Sequence, residues 1–280
     1  MSLAQRAAPA APPIGRFFQE IGSLTWRNLL RIGRSPERIM FTLIMPVLFT
    51  LLFRYVFGGA IGGLQGVTYA SYLIPGVGVQ VIALASVTSG FAIADDLATG
   101  YFYRIRTLPT VRSAVPLARM AADLGTMVAQ VLVLVAIGSA VGFRAGSVPG
   151  LVLGALVLLL FGISLSLAFA TLGLLLGRPE AVNTVAMPLV FPLTMASSAF
   201  VPPATMPGWL RAFAEHQPVS VACDSLRALA LGPQDTPAVR AAFFGGQSDG
   251  ALVLQSVVWS AAIAAVALVV SVRRFGRLNS

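Results

Sequence analysis

Six separate stretches of this chain are each apolar for long enough to cross a lipid bilayer, and that decides the solvent in which it folds. They run Ile39–Phe57, Tyr69–Ala94, Val115–Val141, Leu151–Leu176, Ala181–Val201 and Ala251–Val272. A span needs about 20 mainly apolar residues to cover roughly 30 Å of hydrocarbon. The second, fourth, fifth and sixth stretches hold no charged residue. Inside hydrocarbon every backbone N–H and C=O needs a partner within the protein, which leaves the α-helix for segments of this length. The expected fold is therefore all-α and integral to a membrane, with six transmembrane helices. Charged residues make up 10% of the chain and the mean hydropathy is +0.85. A soluble domain carries about 25% charge, so no large soluble domain is expected beside the spans.

Orientation follows from arginine, since the chain has no lysine. A net charge of +9 would suggest nucleic acid in a soluble chain. In a membrane chain it points to cytoplasmic loops, where basic residues collect, and no nucleic-acid partner is expected. With the N-terminus in the cytoplasm, Arg6, Arg16, Arg27, Arg31, Arg34, Arg38, Arg104, Arg106, Arg112, Arg119, Arg178, Arg273, Arg274 and Arg277 fall inside. Only Arg144, Arg211, Arg227 and Arg240 fall outside, and Arg54 lies within the first span. Both termini are expected in the cytoplasm, without a cleaved leader, because the first twenty residues lack an apolar core.

The flanking segments read separately. Residues 1–15, with "AAPAAPP", suit a disordered tail. Over 16–38, Phe18, Ile21, Leu24, Leu29 and Ile32 fall near helical spacing, as in an amphipathic helix lying in the interface with its arginines near anionic headgroups. The membrane domain then covers 39–272, and 273–280 is a cytoplasmic tail. Between spans five and six, residues 202–250 are too apolar for a free loop. Pro207 suits a first helical turn, with Trp209, Leu210 and Phe213 on one apolar side. Pro218 breaks that helix, and a second carries Val219, Ala222, Leu226 and Leu229 on one face until Gly232. Two short helices dipping into the outer leaflet as a cap are expected.

Enzyme chemistry finds no foothold. Without lysine no G-x-x-x-x-G-K-[ST] loop exists. His216 is the only histidine, which excludes a histidine-based zinc site or triad. Cys223 stands alone and reads as a small apolar filler, and no metal site is expected. Asp95 and Asp96 are adjacent, so they point about 100° apart on a helix and at the membrane boundary rather than at depth. Arg54, near the outer end of span one, can extend its stem to the headgroups. Arg119 and Asp123 stand four apart on span three, either as an ion pair along the helix or as a polar gate near the cytoplasmic side. Glu215 and His216 read as a solvated loop tip.

Two carboxylates, three aromatics and three arginines gather in "DDLATGYFYRIRTLPTVR", Asp95 to Arg112, between spans two and three. Asp95 and Asp96 are expected to open a short helix at the favourable end of its dipole. Tyr101, Phe102 and Ile105 would form an apolar patch beside Arg104 and Arg106, with Pro109 ending the element. Aromatic and arginine enrichment is the composition of a protein-docking hot spot. The plainer alternative is an interfacial turn with an aromatic belt.

From the amphipathic helix through all six spans the chain resembles the permeases of ABC-2-type exporters, nearest to the daunorubicin-resistance type of actinobacteria. "DDLATGYFYRIRTLP" carries the resemblance, and so does "SSAFVPPATMPGWLRAFAEHQPVS" followed by Arg227 and Gly232. Its most specific part surrounds Ser197, Ser198, Phe200, Pro202, Met206, Pro207, Trp209 and Pro218. The resemblance implies a permease dimer, by a second copy or a sister chain, working with separate ATPase subunits in the bacterial cytoplasmic membrane. ATP and magnesium would be bound by the ATPase, leaving this chain without a cofactor. It implies that residues Asp95, Asp96, Tyr101, Phe102, Tyr103, Arg104, Ile105 and Arg106 form the coupling element on the ATPase, with Arg178 in the lesser contact. It also makes Pro202, Met206, Pro207, Trp209, Pro218 and Arg227 part of a re-entrant extracellular cap. The expected cargo is hydrophobic or amphipathic, because the spans are so poor in charge. A lipid, glycolipid or polysaccharide exporter is the near alternative. An intramembrane enzyme would need a catalytic pair at depth, and a passive channel would need recurring polar residues along a span.

Overall fold

A computed structural model describes residues 36–57, 69–100, 114–231 and 247–278. Five helices come first: α1 Pro36–Phe57, α2 Tyr69–Ala98, α3 Ala114–Ala140, α4 Val148–Leu176 and α5 Pro179–Met195. After a 3-10 turn at Pro203–Thr205 come α6 Gly208–His216, α7 Pro218–Leu231 and the long α8 Asp249–Leu278. The expected tail over 1–15, most of the interfacial helix over 16–38, and residues 101–113 and 232–246 lie outside the described residues.

The chain is an integral membrane helical protein. Among the described residues Ala70–Ala98, Met120–Ala140, Val148–Leu176 and Asp249–Arg274 are long and apolar enough to cross a membrane, and Ile44–Val56 is a shorter apolar helix. α5 has 17 residues, about 26 Å at 1.5 Å per residue, which is shorter than the hydrocarbon layer. The expected span Ala181–Val201 thus ends early as a helix, at Met195. Pro188 and Pro192 lie within it and each removes one helical N–H.

Local chemistry sets the other ends. Ser147 caps α4 by accepting the Gly150 N–H at 3.1 Å, and Gly177 ends it at φ 66°, a left-handed conformation that glycine adopts without strain. α2 corrects one expectation. Asp95 and Asp96 do not open a new helix; they lie in the last turns of α2, which runs on to Ala98. The apolar pattern continues through Ile93 and Leu97, and no glycine or proline interrupts it before Gly100, at φ 66°. Thr99 donates both its N–H and its hydroxyl to the Asp95 carbonyl oxygen.

α2 is the centre of the bundle. It is 67% buried over its most apolar window, against 17% for α8, and it packs on α1, α3, α4, α5 and α7. Small residues permit this. A Cβ at Gly173 would strike the Gly90 carbonyl oxygen of α2, and one at Gly76 would strike the Ala199 carbonyl oxygen. Lipid gives no hydrophobic drive between helices, so backbone approach through small residues is a principal source of packing.

Contacts fix the relative directions. Ser86 donates to the Gly162 carbonyl oxygen at 3.1 Å and Gly90 abuts Phe169 and Gly173, so α2 and α4 run parallel. Gly138 meets Ile74 while Ser89 binds Asp123, so α3 runs antiparallel to them. α8 starts beside α7, where Ser225 donates to the Leu252 carbonyl oxygen at 2.8 Å. It ends beside α4, where the Thr171 and Ser271 hydroxyls stand 2.8 Å apart. One end of the bundle therefore carries the α6–α7 hairpin, and the opposite end carries Asp95, Asp96, Arg178, Glu180, Arg273 and Arg274.

Candidate functional site: a buried arginine under the helical hairpin

The hairpin forms where proline spacing demands it. Pro207 precedes α6, which ends at His216, and Pro218 opens α7. On α6, Leu210 and Ala214 turn inward, whereas Trp209 is 77% exposed and Phe213 47% exposed, one helical turn apart. Arg211 and Glu215 pair beside them at 2.7 Å. Glu215 and His216 are thus in the last turn of α6 rather than in a loop tip. An outward indole and phenyl on one face match what a headgroup region accommodates.

α7 supplies the opposite kind of residue. The Arg227 side chain is 1% exposed, and its guanidinium finds an acceptor for every donor. Nε donates to the Tyr72 carbonyl oxygen at 3.1 Å. Nη1 donates to Asp224 Oδ1 at 2.9 Å and to Ser198 Oγ at 3.3 Å. Nη2 donates to the carbonyl oxygens of Ser198 at 2.7 Å and Ala199 at 2.8 Å. Its Cζ also lies 3.7 Å from the Tyr72 ring centroid, a cation–π contact strengthened by desolvation. Burying a guanidinium costs several kcal/mol, recovered only when geometry and partners are complete. Five donors with five acceptors meet that condition.

The acceptors exist because α5 stops short. A helix end leaves carbonyls without intrahelical partners, and irregular backbone at membrane depth is tolerated only where protein satisfies it. Gln217 Nε2 donates to the carbonyl oxygens of Leu193 at 2.9 Å and Ala196 at 3.3 Å. Arg227 takes those of Ser198 and Ala199. The Ser198 N–H donates to Ser220 Oγ at 3.0 Å, its hydroxyl to Asp224 Oδ1 at 2.8 Å, and the Tyr72 hydroxyl to the Ser198 carbonyl oxygen at 2.7 Å. Phe200 continues the contact by stacking on Phe53 of α1, centroids 4.1 Å apart and planes at 10°. A residue of the hairpin thereby holds α2, α7 and the segment after α5 together.

Of the expected cap residues, Pro202 is buried, Met206 and Pro218 are half-buried, Pro207 and Trp209 are exposed, and Arg227 is at the centre. Asp224, Tyr72 and Gln217 were not singled out from the sequence. For Asp224 the signal was a single carboxylate–arginine pair, three residues apart with Arg227 on an otherwise apolar helix; Tyr72 and Gln217 carried none. Cys223 beside them is buried, as expected of a filler.

At the opposite end Asp95 and Arg178 are exposed and Asp96 is half-buried. Contact of Gly90 with Val182 and Phe169 brings the ends of α2 and α4 to the start of α5. Tyr101, Phe102, Tyr103, Arg104, Ile105 and Arg106 lie outside the described residues. Asp123 Oδ2 accepts from Ser89 Oγ at 2.7 Å, joining α3 to α2, while the Arg119 side chain lies outside those described. Among the described residues no group of three or more His, Cys, Asp or Glu could hold a metal ion.

The chain is 36% identical over 208 residues to the daunorubicin resistance ABC transporter permease protein of Streptomyces coeruleorubidus, covering 74% of this chain and 73% of the relative. It is 28% identical to a probable doxorubicin resistance ABC transporter permease protein of Mycobacterium tuberculosis, over 83% of this chain and 84% of that one. A putative transport permease of Porphyra purpurea is 27% identical over 75% of this chain and 73% of its own length. The family model described as ABC-2 type transporter matches residues 19–231, from ahead of α1 to the last residue of the α6–α7 hairpin, and the chain belongs to that family.

Proposed function

We propose that this chain is the membrane permease of an ATP-driven exporter and moves a hydrophobic or amphipathic, drug-like compound outward. The similarity to a daunorubicin resistance permease over 74% of the chain carries the reading. The absence of charged residues between Ala70 and Ala94 of the central helix supports an apolar cargo. In this reading α1, α2, α3, α4, α5 and α8 are six spans, both termini are cytoplasmic, and the α6–α7 hairpin caps the outer side. The arginine bias supports the orientation.

Energy comes from a separate ABC ATPase, which binds ATP and magnesium; this chain contributes no hydrolytic site and no cofactor. The segment Asp95–Arg112 is the ATPase-docking element, with Arg178 beside it at the same end of the bundle. Arg119 and Asp123 act as a gate pair near that end. A second permease, as a like copy or a sister chain, completes the pathway. Membrane lipid meets Trp209, Phe213 and the helix expected over 16–38.

The test is reconstitution of the chain with a co-expressed ABC ATPase in inside-out vesicles. ATP-dependent daunorubicin uptake, absent without either subunit, is expected. Uptake by the permease alone at the same rate would make it a passive channel and sink the reading.

A further inference from the structure

One face of α2 changes character halfway along the helix. Leu73, Val77, Gln80, Leu84, Thr88 and Phe91 share a sector about 80° wide at 100° per residue. In the half nearer the hairpin, Leu73, Val77 and Gln80 are each 0% exposed. Beyond Gln80 the same face opens: Leu84 and Phe91 are half-buried and Thr88 is exposed. The other faces have their own neighbours. Ile74 and Gly78 meet α3, Ile82 and Ser86 meet α4, Ala83 and Val87 pack with α5, and Tyr72 and Gly76 meet Arg227 and Ala199. α1 is the remaining described helix that packs on α2, so it covers one half of this face and leaves the other open.

α1 is fastened at its hairpin end. Phe53 stacks on Phe200 with centroids 4.1 Å apart, and Phe49 stacks on Phe53 at 6.2 Å. Phe200 follows Ala199, whose carbonyl oxygen faces Gly76 of α2, which sets Phe53 near the level of Gly76. Toward its N-terminus α1 runs away from the hairpin, since the opposite direction would carry it off α2 and α3. Pro46 lies seven residues from Phe53, and Ala83 seven from Gly76, about 10 Å in each case. Pro46 thus stands at the level where the face of α2 passes from Gln80 to Leu84, from enclosed to open.

A proline inside α1 has no N–H for the preceding turn and crowds the carbonyl four residues back, so sharp bends gather at such positions. Pro46 is buried on the same side of α1 as Thr50 and Phe53. Nothing polar opposes closing the open half of the α2 face. The Thr88 hydroxyl donates to the Ala85 carbonyl oxygen at 2.7 Å, so enclosing it strands no donor. Moving Leu84 and Phe91 from lipid to protein yields packing without a hydrophobic drive. The open and closed arrangements therefore differ little in energy, as a switch requires.

We propose that α1 from Pro36 to Pro46 is a strap that bends at Pro46 and closes over Leu84, Thr88 and Phe91. The aromatic row Phe49, Phe53 and Phe200 keeps the other half of α1 in place, and the structure holds the strap open. Closure seals the end of the bundle that carries Asp95, Asp96 and Arg178. α2 leads from there into the proposed docking segment, so ATP binding by the partner is what drives closure. The driving force rests on the export reading above; the motion itself does not.

The test uses introduced thiols in a Cys223→Ser background, in the reconstituted complex with its ATPase. Thr88→Cys should react readily with N-ethylmaleimide without nucleotide, and about tenfold more slowly when ATP and vanadate trap the closed state, one energetic decade of protection. Met40→Cys with Thr88→Cys should be joined by a short thiol cross-linker in the trapped state and poorly without nucleotide. Phe53→Cys with Phe200→Cys should be joined equally in both. Pro46→Ala should keep the fold and the ATPase and lose the protection of Thr88→Cys. Equal reactivity of Thr88→Cys in the two states, or a Met40–Thr88 link indifferent to nucleotide, overturns the strap. A Phe53–Phe200 link lost on trapping means that α1 moves as a whole, and normal protection in Pro46→Ala removes the hinge; either overturns the proposal. If the chain binds no ATPase, the export reading fails by itself. The permease alone then decides: a Met40–Thr88 link that Pro46→Ala abolishes keeps the strap, and its absence overturns it.

Discussion

Arg227 grips Tyr72 twice, with its guanidinium 3.7 Å over the ring centroid and its Nε donating to the backbone carbonyl of the same residue at 3.1 Å. The contact falls one turn before Pro75, where α2 lacks an N–H for its own hydrogen-bond ladder. A charged side chain of the hairpin thus braces the central helix where proline weakens it. Because every donor is used, the arrangement behaves as a fixed clasp rather than as a gate.

Arg227→Met should therefore destabilise the protein by about 3–5 kcal/mol, the cost of leaving a buried partner charge unpaired. Arg227→Lys should rescue little, since an ammonium has three donors and no planar fork. Adding Asp224→Leu to Arg227→Met should recover part of the loss by removing the stranded carboxylate. Thermal unfolding of the purified variants reads this directly. Equal midpoints for Arg227→Met and the unsubstituted protein would refute the clasp.

Gly173→Leu should prevent α2 and α4 from closing, because its Cβ would meet the Gly90 carbonyl oxygen, an atom that cannot rotate away. Overpacking of this kind costs about 1–3 kcal/mol, and the folded yield should fall with it. Gly154→Ala provides the control, since its Cβ would find only Leu229 Cβ at 3.8 Å. Comparable loss in both variants would mean that helix propensity, not backbone approach, sets the packing.

Trp209→Ala should separate stability from transport. At 77% exposure the indole contributes little to packing, so the unfolding midpoint should stay within about 0.5 kcal/mol. ATP-dependent export should nonetheless drop, through loss of the interfacial anchor. Normal export at normal protein levels would leave Trp209 without a role in the cap.

Orientation can be checked by thiol labelling in a Cys223→Ser background. Gln65→Cys and Gln247→Cys should react from outside with an impermeant reagent, and Thr107→Cys should not. External labelling at Thr107→Cys would invert the topology inferred from arginine.

The long helices and the hairpin were legible because their signals are local: apolar runs of span length, and prolines at 207 and 218 with glycine at 232. Asp95 and Asp96 misled because acidic residues favour a helix start, while the apolar period that keeps α2 going to Ala98 competes with that preference. Arg227 was placed from the sequence only as an outside arginine of the expected cap. Its acceptors include carbonyls freed by the early end of α5 and the Tyr72 carbonyl of α2, 155 positions away, and no spacing rule reaches that far. Gln80 of α2, fully buried with neither side-chain amide atom hydrogen-bonded, was likewise silent, since an amide without a partner is a property of packing alone.

The Asp95–Arg112 cluster yields the last prediction. α2 delivers Asp95 and Asp96 to the end of the bundle that also carries Arg178. Truncating a buried aromatic anchor costs about 2 kcal/mol or more, roughly a thirtyfold loss of affinity. Phe102→Ala and Tyr103→Ala permeases should then lose the ATPase on co-purification and lose export with it. Arg104→Gln and Arg106→Gln should mainly slow association and weaken its salt dependence, as rim charges do. The two classes are distinguished by washing the complex at rising salt, which releases partners held by charge but not those held by aromatic burial. If both aromatic variants keep the ATPase and export normally, the cluster is an interfacial turn, and docking must lie elsewhere on the cytoplasmic surface.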